Sequence, residues 1–169
     1  MAAIDVLGVV CDRLVGGMMF HSDHADLCRF MGFENLAKLH EEGYLHDSKA
    51  HARVRRMALV HTETIAPGGR QDRTHTLDRW QGVKRKDVTC EQRKTALCDA
   101  MCDWLEWEQS AASVYQTAYR RMLDCGNMTL ASLMEELAID TEKELAHARQ
   151  MHAEMAASGW DMPYILEMK

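Results

Sequence analysis

The sequence predicts an all-α protein, a four-helix bundle with one long connection, and three observations point to it. Helix formers (Ala, Leu, Met, Glu, Lys, Arg) fill most of the 169 residues, with only 2 prolines and few β-branched runs. Four stretches, each far longer than the roughly 11-residue average helix, repeat apolar residues at steps of three and four. Short breakers separate the first from the second and the third from the fourth, whereas a long aperiodic stretch joins the second to the third. A chain of this length suits one well-buried core, so a single domain is expected over residues 1–169.

The first helix is expected over about 4–31, where Ile4, Leu7, Val10, Cys11, Leu14, Met18, His21, Ala25 and Cys28 share a face. Gly16 and Gly17 interrupt it at about 1 kcal/mol each relative to Ala, which implies close packing against a neighbour. Gly32 supplies the stop. The second helix follows at once, over about 34–61, with Leu36, Leu39, Gly43 or Tyr44, Asp47, His51, Val54 and Ala58 facing inward. So short a link makes the two antiparallel neighbours.

Periodicity is lost over 62–89, a charged stretch that contains Pro67, Gly68 and Gly69. A connection this long needs a structural reason, and in a bundle it has one: a crossover along the full length makes helices two and three run parallel. The third helix is expected over about 90–125, with Leu97, Met101, Leu105, Glu108, Ala112, Tyr115, Tyr119 and Met122 on one face. Gly126 and Asn127 end it, Thr129 is placed to cap a fourth helix over about 129–157, and Gly159 closes that one. Met162, Tyr164, Ile165 and Leu166 suggest a short tail helix over 161–168.

Charge and composition narrow the function classes. A formal net charge of −6 argues against a nucleic-acid binder driven by phosphate neutralisation. No apolar run approaches a membrane span, and the N-terminus lacks a basic region before its apolar stretch, so a soluble, cytoplasmic protein is the expectation. None of the 6 cysteines forms a Cys-x-x-Cys pair; Cys98 and Cys102, one turn apart, read as small buried hydrophobes. The 13 methionines read mainly as core filler, with one of Met18 and Met19 facing inward. His24, His40, His46, His61 and His152 fall off the expected inward faces and read as solvated, while Trp80, Trp107 and Trp160 are candidate interface anchors.

Chemistry is concentrated in the fourth helix. Leu133, Leu137, Asp140, Glu144, His147 and Met151 recur at helical spacing, and Glu144 with His147 forms Glu-x-x-His. A carboxylate and an imidazole one turn apart can both reach one hard or borderline cation, and bundles with a two-metal carboxylate centre project such pairs inward.

With these residues and this helix order the chain resembles the ferritin superfamily, bacterioferritin and the bacterial ferritins most closely. The resemblance runs from Gly32-Phe-Glu-Asn-Leu-Ala to His51-Ala-Arg in the second helix, through Leu105-Glu-Trp-Glu108 in the third, to Glu144-Leu-Ala-His147 and the tail from Gly159 to Leu166. It implies a metal centre held by Glu108, Glu144, His147 and His51, which would also carry ferroxidase activity, the oxidation of Fe(II). The match is incomplete. Where the family has a first-helix glutamate this chain has Leu14 or Val15, and where it has a second-helix Glu-x-x-His the chain has Ser48-Lys-Ala-His51. Asp47 and His21 are the substitutes within reach, and would make the centre richer in histidine. Lys49 stands where bacterioferritin carries its haem-ligating methionine, so haem in that manner is not implied.

The resemblance therefore implies an iron-storage or iron-binding shell protein with an altered or degraded ferroxidase centre. The shell would be a hollow homo-oligomer, without nucleic-acid or membrane partners and with a redox partner the sequence does not identify. Two other readings stand beside it: a non-catalytic ferritin-like structural subunit, and a carboxylate-bundle oxidoreductase with one or two metals acting on peroxide or a small substrate.

Overall fold

The structure, a computed structural model, describes residues 3–64, 66 and 76–167, apart from the side chains of residues 164, 166 and 167. Pro67, Gly68 and Gly69, expected as breakers, lie outside the described residues, and so do the last two positions of the chain. Among the described residues there is no strand. Four long helices make up the fold: α1 (Ala3–Met31), α2 (Glu34–Thr62), α3 (Cys90–Asp124) and α4 (Met128–Ala157). Between α2 and α3 two single 3-10 turns occur at Asp78–Trp80 and Arg85–Asp87, and α5 (Met162–Glu167) follows α4.

Local chemistry sets the ends of the helices. Gly32, at φ +95°, closes α1: its N–H bonds Arg29 O, and the next N–H, of Phe33, reaches back to Cys28 O at 2.8 Å. That left-handed residue satisfies carbonyls the helix leaves open, and Phe33 and Cys28 pack in the same apolar cluster. Gly126 and Asn127 repeat the arrangement after α3, onto Leu123 O and Met122 O. At the start of α3, Thr89 and Gln92 bond each other's backbone N–H reciprocally. At the start of α4 the cap is Asn127, whose Oδ1 accepts from Leu130 N at 3.0 Å. The expectation of Thr129 was wrong by two residues, because Asn127 serves both the end of one helix and the beginning of the next.

Contacts along the helices fix their directions. Asp47 lies beside Gly17 and His40 beside His21, so α1 and α2 run antiparallel. Trp107 sits against Gly16, Asp103 near His24, and Arg93 bonds Met31 O, which makes α1 antiparallel to α3 as well. Gln116 with Glu142 and Gln109 with Arg149 pair α3 with α4, and His46 with Glu144 and Arg53 with Glu136 pair α2 with α4.

The apolar core comes in two parts. One holds Leu7, Leu14, Val54, Met122 and Met134; the other holds Cys28, Leu36, Leu97, Met101 and Met155. Between them, at mid-length, the buried residues are His21, His24, His40 and Glu108, and Thr141 is a buried polar residue of α4. Only Cys11 and Cys28 are buried among the cysteines; Cys98 is half-buried and Cys102 exposed, so the expectation for that pair is corrected. Met19 is exposed and Met18 half-buried.

Asn127→Ala should lower stability by about 1 kcal/mol, as loss of a helix cap does, while Thr129→Ala on the exposed first turn should change it by less than about 0.5 kcal/mol. Urea unfolding of the two variants checks the order.

Candidate functional site

The mid-length belt takes side chains from each of the four helices. α1 contributes Arg13, His21 and His24; α2 contributes His40, His46 and Asp47; α3 contributes Trp104 and Glu108; α4 contributes Glu144. Helical spacing brings them together. On α2 the buried or half-buried row is Leu36, His40, Gly43, Asp47, Ala50, Val54 and Ala58, so three members at its centre are polar or lack a side chain.

Three glycines make room for larger groups. A Cβ on Gly43 would stand 2.7 Å from Cε1 and Nε2 of His21, one on Gly16 would stand 2.9 Å from the Trp107 ring, and one on Gly17 would overlap Asp47 Oδ2. The close packing expected at Gly16 and Gly17 is therefore made with a tryptophan from α3 and a carboxylate from α2. Gly43→Ala should cost about 1–3 kcal/mol, the range for overpacking a tight interior, with most of the loss recovered in a His21→Ala background. A urea-unfolding double-mutant cycle measures that recovery; additive losses would mean that the imidazole does not fill the notch.

Glu108 is 2% exposed, and its Oε1 accepts from Trp104 Nε1 at 3.0 Å while His21 Nε2 lies 3.8 Å away. Burial, and then the charge of Glu144, push its carboxyl up to about 8, so Glu108 is mostly protonated at pH 7. Burial likewise raises Asp47 and Glu144. The histidines move the other way: burial pushes His21 down to about 3, and His40 well below its ordinary range, leaving both neutral. Their Nδ1 atoms are 3.0 Å apart, so one ring donates and the other accepts. His24 Nδ1 donates to Phe20 O at 2.9 Å, which leaves its Nε2 buried without a hydrogen-bond partner, 3.8 Å from Asp103.

His46 is held differently. Its Nδ1 lies 3.6 Å from Glu144 Oε1 and 3.8 Å from Asp47 Oδ1, and its Nε2 lies 4.0 Å from Asp140. Asp47 first, then Glu144, raise its pKa. The Arg13 guanidinium acts on both Glu108 and Asp47, lowering their pKa values; it lies over Trp107 at 3.4 Å from the ring centroid and donates to Trp107 O. A cavity of about 230 Å³ opens beside the belt, lined by His21, Leu39, Glu42, Gly43, His46, Trp104, Glu144 and His147.

Of the expected site residues, the structure brings Glu108, Glu144, Asp47 and His21 into the belt. His147 is an exposed residue at the cavity wall, with its ring 6.3 Å from that of Trp104. His51 is half-buried, one turn beyond Asp47, and its nearest charge is Arg55. α4 buries Thr141, Leu145 and Ala148, so Asp140, Glu144 and His147 form its flank towards α2. The expectation of solvated histidines is corrected for His24 and His40, which are 1% and 2% exposed. Sequence reasoning also passed over Arg13, His46 and Trp104. The signal available was the α2 row itself, which steps from Leu36 to His40 to Gly43 to Asp47.

The donor set suits a divalent cation chemically: three carboxylates that burial leaves short of positive charge, and neutral imidazoles with no proton to displace. The spacing is looser. Among the described residues no three of His, Cys, Asp and Glu are grouped so as to hold a metal ion.

The belt predicts a bell-shaped stability profile. Between pH 4.5 and about 8 the folded chain keeps a proton on Glu108 that the unfolded chain has lost, so stability falls as pH rises, by up to about 1.4 kcal/mol per unit. His21 runs the other way: between 6.5 and about 3 the unfolded chain holds the extra proton, and stability falls as pH drops. The two effects offset between pH 4.5 and 6.5. Urea midpoints should therefore peak at mildly acid pH, and Glu108→Gln should flatten the alkaline limb while sparing the acid one; an unchanged alkaline limb would refute the assignment to Glu108.

No protein-family model matches the chain, and no curated protein sequence matches it significantly.

Proposed function

We propose that the chain is a ferritin-like subunit that takes up iron at an altered, histidine-richer centre and assembles with copies of itself into a closed shell. The observation that carries the reading is the belt: every helix of a four-helix bundle sends an acid or an imidazole to one mid-length layer, with Glu108 and Glu144 coupled by their charges. Helix order supports it too. α2 and α3 are each antiparallel to α1, so they run in the same direction, as the expected crossover between them would make them do. Ala66 packs in one half of the core, and Leu77, Trp80 and Val88 pack in the other, which supports the crossover reading.

Iron here is cargo. Glu108, Glu144 and Asp47 would hold it through oxygen, with His21 and His46 as nitrogen donors. At an effective dielectric of 20 a unit charge 4 Å away is worth about 4 kcal/mol, so a divalent ion offers a carboxylate about twice that, enough to displace the Glu108 proton. Loose spacing and the exposed His147 favour weak or single-ion binding. Those two observations also favour a second reading, a subunit with the same architecture and no oxidase activity.

Anaerobic Fe(II) titration followed by oxygen, with light scattering on the same sample, separates the two. The first reading expects saturable Fe(II) binding, oxidation faster than in protein-free solution and a large closed oligomer, with specific binding lost in Glu144→Ala. A large oligomer with oxidation at the protein-free rate would establish the passive subunit, and a monomer with neither property would reject both readings.

A further inference from the structure

A second cavity, larger than the one at the belt, lies outside it. It measures about 540 Å³ and is walled by the α1–α2 turn, the first turns of α2, the last turns of α4, and Ile165 of α5. That size falls within the range of small-molecule sites, about 300–1,000 Å³. Its floor is apolar and well buried: Phe33, Leu36, Met155 and Ile165 are each 5% exposed or less. Its rim is acidic, with Glu34 and Glu154, and among the described residues no lysine or arginine lines it. Gln150 Nε2 donates to Glu154 Oε1 at 2.8 Å and so holds that carboxylate in place. Of the guanidiniums near the turn, Arg93 of α3 bonds Met31 O and Arg85 O, and that of Arg85 lies beside Gly32.

We propose that this cavity is a binding site for a small amphiphilic amine, with the apolar body on the floor and the ammonium group at the Glu34 and Glu154 rim. Burial of a hydrocarbon or aromatic body on Leu36 and Met155 supplies the affinity, and the two carboxylates select the sign of the head group. Leu39 and His147 line both this cavity and the smaller one at the belt, so the buried end of the ligand lies towards the histidine and carboxylate layer. The proposal does not depend on iron binding.

The test uses three probes with one ring system and different heads, tryptamine, tryptophol and indole-3-propionate, titrated into the full chain labelled with carbon-13 at its methionine methyls. Tryptamine is expected to shift the Met151 and Met155 methyls and to leave Met19 and Met128 unmoved. Indole-3-propionate should bind more weakly, by about threefold for each rim carboxylate, the factor set by an exposed ion pair. Glu154→Gln should narrow the ratio of amine to acid, with tryptophol unaffected. Leu36→Trp, which fills the floor, should abolish binding of all three. Shifts spread over the exposed methionines, equal affinity for amine and acid in the wild-type chain, or preference for the acid would each overturn the proposal. The wild-type methyl map decides the location even if Leu36→Trp fails to fold.

Discussion

Everything in this bundle has to accommodate one unfavourable requirement, the burial of ionisable groups at the middle of the core. An isolated carboxylate moved out of water is destabilised by several kcal/mol or more, and proteins answer by neutralising it, pairing it or binding a cation. Glu108 is answered by neutralisation and by the Trp104 N–H. His21 and His40 are answered by neutralisation and by each other. The apolar core is cut in two by this layer, so the packing of Leu7 and Met134 on one side and Met101 and Met155 on the other must stabilise the fold against a polar middle.

Steric fit is what makes the layer possible. Side chains as large as Trp107, His21 and Asp47 lie at the seams between α1 and its neighbours, where α-carbons would otherwise bring β-carbons into contact. Glycine at 16, 17 and 43 removes those β-carbons, at a helix-propensity cost of about 1 kcal/mol each. Such a cost inside long helices is intelligible only if the space is used, and here each of the three spaces holds a named side chain. The notches also order the layer: Asp47 cannot leave the Gly17 face without exposing a void, and the His21 ring is set over Gly43 so that its Nδ1 meets His40.

The fold was more legible in the sequence than the belt. Helix-forming composition and long apolar rows made four helices readable, and Gly32, Gly126 and Gly159 marked ends that positive φ explains. The belt was less legible because burial runs against residue type there. A row through Leu39 looks more apolar than one through His40, yet the packed row is the one through His40, Gly43 and Asp47. On α4 the same bias drew attention to Glu144 and His147, whose chemistry stands out, whereas the inward positions are the plain Thr141, Leu145 and Ala148. Periodicity alone does not fix the rotation of a helix to better than one residue step when both rows are mixed, and the contacts of its neighbours decide it.

The electrostatics of the layer follow from which helix supplies which sign. α1 brings Arg13 and two imidazoles, whereas the acids Asp47, Glu108 and Glu144 come from α2, α3 and α4. Arg13 lies partly buried against Trp107, with its Nε unpartnered, so its charge acts on Glu108 and Asp47 through space and not through a direct bond. Burial raises all three carboxyls, and the one guanidinium offsets it only in part, at Glu108 and Asp47. His46, whose pKa Asp47 and Glu144 raise, stands between those two acids on the side facing the small cavity. Glu108 is the most buried of the three acids, and burial first and the charge of Glu144 second drive its carboxyl to about 8.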